Sequence, residues 1–142
     1  MQVNIQFDSK AVERALEKAA GGMKKSIDIA LQRTALHGSN IITDRTEKGV
    51  GYMGKFAPYS AGYAKFRKKE GRQTKVVDFN FSGKMLASIN GKSFGNQTAK
   101  IYFIDKINSK KGAMLNIKRP WFGFNQAEAN RLGRFFAGQF KL

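Results

Sequence analysis

The glycines between positions 49 and 54 have the spacing that most directly suggests a chemical role. Gly49, Gly51 and Gly54 fit the pattern G-x-G-x-x-G of dinucleotide sites, and Lys55 extends them toward the phosphate-loop pattern G-x-x-x-x-G-K. Both patterns bind phosphate where a strand runs into a helix, because the N–H groups at the helix N-terminus point at the anion. Here a long helical pattern precedes the glycines, and Phe56 stands where a phosphate loop needs Ser or Thr. We therefore predict a glycine-rich loop and no nucleotide cofactor.

Few residues offer acid–base, nucleophilic or metal chemistry. The chain has no cysteine, which excludes disulfides and thiolate ligands, and His37 is its only histidine. A catalytic triad would have to use His37, which falls inside a predicted helix. The acids after position 48 are well separated in sequence and lack metal-ligand spacing: Glu70, Asp78, Asp105 and Glu128. We expect no catalytic residues, no metal site and no cofactor, and predict that the protein is not an enzyme.

Positive charge dominates the composition. The chain has 26 Lys and Arg against 10 Asp and Glu, a formal net charge of +16, and positions 49–142 hold 18 of the basic and 4 of the acidic side chains. Such asymmetry indicates a polyanion or an acidic protein surface as a neighbour, and the alternative is a solvated cationic face. The predicted contacts with a polyanion or acidic partner are Lys65, Arg67, Lys68, Lys69, Arg72 and Lys75.

Two groups of aromatic residues allow both a packing role and a binding role. Tyr59, Tyr63 and Phe66 alternate with the cations, so their rings could stack on bases. Helical spacing instead favours Tyr63 and Phe66 facing inward, with the cations toward solvent. The run 119–124 (RPWFGF) suits either core packing or a subunit interface, where Trp, Phe and Arg are enriched. The residues predicted for an interface are Lys55, Phe56, Tyr59, Arg119, Trp121 and Phe122.

The periodicity predicts an α+β fold in a single domain over 1–142: a long N-terminal helix and shorter helices packed on a small, mostly antiparallel sheet. A glycine-rich and basic loop region should protrude from it. The predicted strands cover 2–7 and 75–79, and a hairpin pairs 92–95 with 98–104 around a turn at 95–96. The predicted helices cover 10–20, 23–47 and 61–69, the last capped by Ser60.

The C-terminal half has weaker signals. A short helix capped by Ser82 should carry Met85, Leu86 and Ile89, and 108–112 is predicted as a polar loop or helix edge. Asn125 and Glu128 form a capping-box pattern before a closing helix. The inward residues predicted for that helix are Ala129, Leu132, Phe136 and Phe140. The N-terminus lacks signal-peptide features, and no apolar run has membrane-spanning length, so we expect a soluble protein made in a cytoplasm.

The order of several elements resembles the virion morphogenesis proteins of the tailed-bacteriophage neck, the tail-completion or head–tail joining family. A strand and a long helix come first, and a glycine-rich loop then leads into 54–60 (GKFAPYS). The segment 78–89 (DFNFSGKMLASI) is similar to the family's element of leucine, threonine or serine followed by glycine, then methionine or leucine, then serine-isoleucine. The run 119–124, called the signature segment below, is similar to the family's arginine-proline-aromatic-glycine signature before a closing helix.

The resemblance implies a structural protein that assembles as a ring, sixfold or twelvefold, at the head–tail interface of the virion. Its partners would be other neck and tail proteins, namely a portal, an adaptor, and a tail terminator or tube, with contact to packaged DNA and no membrane. Assembly would take place in the host bacterial cytoplasm. Under this hypothesis the region 49–75 engages neighbours, and the signature segment fixes its base. Charge reversal of Lys65, Arg67, Lys68 and Lys69 should then block assembly and leave the monomer folded.

The alternative function is a basic nucleic-acid-binding protein with no virion role. The two functions differ in their dependence on salt, because contacts to phosphate weaken steeply as the salt concentration rises. Contacts between the protein rings of the neck through Trp121 and Phe122 would depend far less on the salt concentration.

Overall fold

A computed structural model describes residues 1–6, 10–11, 13–14, 23–80 and 82–140. The predicted α+β class is confirmed, with helices packed on a small antiparallel sheet. The strands are β1 Gln2–Gln6, β2 Val50–Gly51, β3 Gly54–Lys55, β4 Ile89–Ser93 and β5 Thr98–Phe103. The helices are α1 Met23–Glu47, α2 Ala61–Lys69, α3 Lys84–Ala87, α4 Lys106–Lys118 and α5 Gln126–Gly138. Of the helix predicted over 10–20, residues 10–11 and 13–14 are helical, and the rest lies outside the described residues.

The main sheet has the strand order β1-β5-β4, and both pairings are antiparallel. The predicted hairpin is confirmed as β4 and β5, but its first strand covers 89–93 and not 92–95. Ile101 of β5 pairs with Val3 on one side and Gly91 on the other. Alternation along β5 turns Ala99, Ile101 and Phe103 into the core, as the period of two predicted.

The long helix α1 lies on this sheet at very close range. Its bounds match the prediction, and its buried stripe includes Ile27, Leu31 and Ile42. A Cβ placed on Gly91 of β4 would lie 2.5 Å from the carbonyl carbon of Ala35. The helix backbone therefore packs directly on the strand backbone, and only glycine fits at this crossing.

The closing helix α5 covers the other part of α1. The predicted N-cap is confirmed, since the Asn125 side chain accepts a hydrogen bond from the backbone N–H of Glu128 at 2.8 Å. Leu132 and Phe136 are buried as predicted, and Phe140 packs against the Phe136 ring at 5.1 Å. The inward position predicted for Ala129 is wrong: it is exposed, because the buried face of this turn carries the Glu128 carboxylate.

The strand predicted over 75–79 is absent, and these residues form an irregular loop. Phe79 adopts φ of +56°, which extended backbone does not allow, and the Asp78 side chain accepts the N–H of Asn80 in a local turn. Ile89 starts β4 and does not continue the helix from Lys84, so that part of the prediction is also wrong. The Ser82 hydroxyl accepts from Lys84 N at 3.4 Å, and the N-cap position itself is Gly83.

The segment 108–112, predicted as a polar loop or helix edge, lies inside α4. The Asp105 carboxylate caps this helix by accepting from Asn108 N at 2.8 Å. Gly112, a residue that weakens an isolated helix, is required here because a Cβ would lie 2.6 Å from the ring of Phe103. Among the described residues no helix combines the length and apolar character needed to cross a bilayer.

Candidate interaction surface

The cationic helix α2 is held by its own Arg67, whose side chain is 1% exposed. The guanidinium donates to the backbone oxygens of Gln73 at 3.0 Å and Asn80 at 3.2 Å, and it pairs with the Asp78 carboxylate at 3.4 Å. It also lies over the Tyr59 ring, 4.7 Å from the centroid. We call these five residues the Arg67 anchor. The prediction that Arg67 faces solvent or a polyanion is wrong, because the loop 73–80 wraps around it.

Asp78 and Tyr59 complete the Arg67 anchor. The Tyr59 hydroxyl donates to the Asp78 carboxylate at 3.2 Å, and Gln73 Nε2 donates to the same carboxylate at 2.7 Å. Burial raises the pKa of the Tyr59 phenol, and the neighbouring Asp78 charge raises it further. The loop is thereby fixed to α2 through charge-assisted hydrogen bonds.

Arg67 occupies the inward position of α2, and the aromatic residues of this helix turn outward. Tyr63 is 41% exposed and Phe66 48% exposed, so the prediction that both rings face inward is wrong. The two rings stack with centroids 6.0 Å apart. The remaining cations of the basic run are exposed, as predicted: Lys65, Lys68, Lys69, Arg72 and Lys75. The two rings and these cations are therefore all exposed on α2 or just after it.

The signature segment holds the glycine loop in place. Arg119 donates from Nε to Ala57 O at 3.2 Å and from Nη2 to Pro58 O at 3.2 Å. A Cβ on Gly51 would lie 2.0 Å from Pro120 O. The glycine spacing is therefore explained by a tight hairpin, β2–β3, packed against the signature segment, and the strand-to-helix geometry of a phosphate site is absent here.

The rings of the signature segment belong to the core. Trp121 is fully buried, and its Nε1 donates to Gly112 O at 3.1 Å. Phe122 is 5% exposed and Phe56 is 8% exposed. These three rings therefore pack in the core, and they leave almost no surface for contact with a neighbouring subunit. Of the residues predicted for an interface, Lys55 is exposed and Tyr59 and Arg119 are half-buried.

Arg45, which the sequence analysis did not single out, ties the signature segment to two helices. From the last turn of α1 it pairs with the Glu128 carboxylate at 3.0 Å. It also donates to the carbonyl oxygens of Trp121, at 2.9 Å, and Gly123. The sequence carries only an indirect signal for this role of Arg45. Glu128 is the third residue of a helix, and in the fold it lies next to the backbone carbonyls of the signature segment.

Most carboxylates of the basic half are used inside the fold. Asp78 binds Arg67, Glu128 binds Arg45, and Asp105 caps α4. Hydrogen bonds from Asn108 lower the pKa of Asp105, which keeps this cap ionised. Three of the four acids after position 48 thus serve internal contacts, so the surface of this half is strongly positive.

A groove of about 600 Å³ lies between α2 and α4. This groove was not predicted, because 108–112 was interpreted as a polar loop or helix edge and not as part of a continuous helix. Helix α4 carries three exposed apolar side chains. Met114, 70% exposed, lines the groove, and Ile107 at 68% and Ile117 at 83% lie outside it. The groove is lined by Tyr59, Ser60, Tyr63, Arg67, Val77, Phe79, Ser82, Gly83, Met85, Asn108, Lys111, Met114, Leu115, Lys118 and Arg119.

The described residues contain no group of three or more His, Cys, Asp or Glu side chains that could hold a metal ion. His37 stacks on the Phe135 ring with centroids 4.4 Å apart, a packing role on the surface of α1. The Arg67 anchor, the exposed surface of α2 and the groove are therefore the features on which a function can be argued.

Comparison with protein-family models, with curated proteins and with solved structures gives no match for this chain.

Proposed function

We propose that the protein is a structural subunit of a tailed-phage neck, which assembles as a ring between a portal or adaptor and the tail and is not an enzyme. The supporting observation is that the sequence elements resembling the tail-completion family meet in one network. Arg119 binds the loop 57–58, Gly51 packs on Pro120, and Arg45 joins the signature segment to α5. A structural subunit needs such a base beneath the segment that contacts its neighbours.

The segment above this base has the chemistry of a contact surface. Met53 at the tip of the β2–β3 hairpin is 74% exposed, and the exposed face of α2 carries Lys65, Lys68 and Lys69. In a ring this positive surface would face packaged DNA or an acidic neighbouring protein, such as an adaptor or tail terminator. The Arg67 anchor would keep α2 rigid, so little conformational entropy would be lost on assembly.

Size-exclusion chromatography with light scattering, and negative-stain imaging of the same fractions, test the proposal. We expect closed rings at a salt concentration that screens the +16 charge of each subunit. A protein that stays monomeric at every salt and protein concentration, and binds DNA tightly only at low salt, would contradict the ring and favour the alternative function.

Because Arg67 is buried, the charge-reversal variants should leave it unchanged. The triple variant Lys65→Glu, Lys68→Glu, Lys69→Glu leaves the Arg67 anchor intact, and we expect it to abolish ring contacts or partner contacts without unfolding the protein. A matched control reverses three exposed cations of α1: Lys24→Glu, Lys25→Glu and Arg33→Glu. Equal assembly defects in the two triple variants would mean that net charge, and not the α2 surface, controls assembly.

One observation favours the alternative, a nucleic-acid-binding protein without a virion role. Tyr63 and Phe66 are exposed on the same helix as Lys65, Lys68 and Lys69, and exposed rings near cations can stack on single-stranded bases. The alternative predicts that the logarithm of the DNA binding constant falls linearly with the logarithm of the salt concentration. It also predicts that Phe66→Ala weakens single-strand binding by about 1–3 kcal/mol without changing that slope.

A further inference from the structure

The groove between α2 and α4 has an apolar floor and a cationic rim. Val77, Phe79 and Met85 form the floor, and Met114 and Leu115 line the side that belongs to α4. Met is well suited to a binding surface, because its unbranched thioether side chain adapts to different shapes. Apolar grooves of this kind bind the apolar face of a helix or an extended peptide.

The floor of the groove is rigid before anything binds. The Phe79 ring stacks on Phe56 with centroids 4.8 Å apart and meets the edge of Trp121 at 5.3 Å. Its backbone is in the left-handed region, a conformation that persists only where the surrounding packing enforces it. A preformed floor lowers the entropic cost of binding.

The charges around the groove are of one sign. Lys111, Lys118 and Arg119 line it, and none of the described lining residues is an acid. Two carboxylates close to lining residues have partners within the fold: Asp78 pairs with Arg67, and Asp105 caps α4 and feels the charge of Lys111. The rim therefore attracts carboxylates and repels cations.

We propose that this groove binds an acidic, amphipathic segment of another protein. The apolar side chains of the segment would lie on the floor, and its carboxylates would pair with Lys111 and Lys118. A second copy of this chain fits poorly, because its net charge of +16 opposes the rim. Nucleic acid fits less well than a peptide, because phosphates find no partner on a floor of Val77, Phe79 and Met85. The inference goes beyond the proposed function, since it concerns the isolated protein and a peptide, with or without a ring.

The test uses a fluorescent helical peptide about four turns long. It has leucine and methionine at i, i+3, i+4 and i+7 and glutamate at most other positions. A peptide of the same composition with a scrambled order, a version with lysine in place of glutamate, and a single-stranded thymidine oligonucleotide serve as comparison ligands. We expect the acidic amphipathic peptide to bind about tenfold or more tightly than each of the other three.

Methionine methyl NMR locates the bound peptide, because the chain has 5 Met residues in distinct places. We expect the signals of Met85 and Met114 to shift on titration. Met53, exposed at the β2–β3 turn and outside the groove, is the internal control and should not shift. A shift of Met53 without Met85 and Met114 would place the peptide elsewhere and overturn the proposal.

Two sets of variants complete the experiment. The double variant Lys111→Glu, Lys118→Glu and the single variant Met114→Gln should each weaken the peptide by about tenfold or more. The control Lys24→Glu, Lys25→Glu, on α1, should leave peptide binding unchanged. Equal binding by the scrambled peptide, or equal loss in the control, would show attraction to net charge alone. Tight oligonucleotide binding that the groove variants abolish would assign the groove to nucleic acid. Either result overturns the proposal.

Discussion

Arg67 shows how far residue types alone can mislead. In the sequence it is one of several cations in a run, and its charge alone does not distinguish it from Lys68 or Lys69. Its burial depends on the loop 73–80, which supplies a carboxylate and two backbone oxygens. Arginine suits this position because its planar guanidinium presents five N–H donors in a fixed fork, whereas lysine presents three on a single rotating ammonium.

Removal of the Arg67 guanidinium should therefore destabilise the fold. We expect Arg67→Met to lower the free energy of unfolding by about 3 kcal/mol, because Asp78 is left without its cationic partner. The matched change Lys68→Met, at an exposed position one residue away, should cost less than about 0.5 kcal/mol. Urea denaturation measures both. Similar losses for the two variants would contradict the Arg67 anchor.

Tyr59 gives the Arg67 anchor a dependence on pH. Its pKa is raised in the folded state, so the neutral phenol is favoured there, and its contribution to stability is complete below the ordinary tyrosine pKa near 10. That contribution is lost as the pH rises through the raised pKa. We expect the stability difference between wild type and Tyr59→Phe to be constant up to about pH 9 and to shrink above pH 10. Denaturation midpoints across this range measure it, and a difference that grows would contradict the assignment.

Among the elements, those with local signals were predicted well. Ser60, Asn125 and the turn at 95–96 marked helix and hairpin boundaries correctly, because caps and tight turns depend on a few adjacent residues. Helix α4 was not predicted as a whole because Gly112 and a polar run weaken the helical pattern of its sequence. Its stability comes from packing against Phe103 and Trp121, which both lie outside the helix. The prediction of a strand over 75–79 was wrong for a similar reason, because hydrogen bonds from Arg67, on a different element, fix the conformation of that loop.

The crossing of α1 and β4 gives a test at the scale of elements. Gly91→Ala should lower the free energy of unfolding by about 3 kcal/mol or more, because the new Cβ would lie 2.5 Å from helix backbone that cannot move locally. Gly133→Ala, in α5 with no atom within 4 Å of its Cβ position, should raise it by about 0.5–1 kcal/mol through helix propensity. Thermal unfolding followed by circular dichroism distinguishes the two opposite effects.

The cap of α4 adds a second test, in acid. The lowered pKa of Asp105 means that its ionised form stabilises the fold, with the full contribution present above the ordinary aspartate pKa near 4. Asp105→Asn keeps a side chain able to cap the helix and removes the charge. We expect wild type to be more stable than this variant at pH 7, with the difference shrinking as the pH falls below the ordinary aspartate pKa. A difference that persists in acid would assign it to hydrogen-bond geometry alone.

At the scale of the molecule, positive charge opposes compactness and self-association. Most carboxylates of the basic half are bonded to partners within the fold, so the exposed lysines repel one another. We expect the melting temperature to rise with sodium chloride and the affinity for an acidic peptide to fall. The variant reversing Lys65, Lys68 and Lys69 should show a smaller rise, because it lowers the formal net charge by six. Calorimetry in a salt series checks this, and a melting temperature independent of salt would show that the repulsion is negligible.

The sheet order β1-β5-β4 also bears on how the chain acquires its structure during synthesis. The central strand β5 is the last of the three to leave the ribosome, and it supplies the hydrogen-bonding partner of both others. At about 5–20 residues per second, β1 waits several seconds or more for Thr98–Phe103 to be translated. Throughout that interval the nascent N-terminal segment has an unpaired strand and an amphipathic helix without a sheet to cover it, so its apolar surface is then most open to aggregation or to a chaperone.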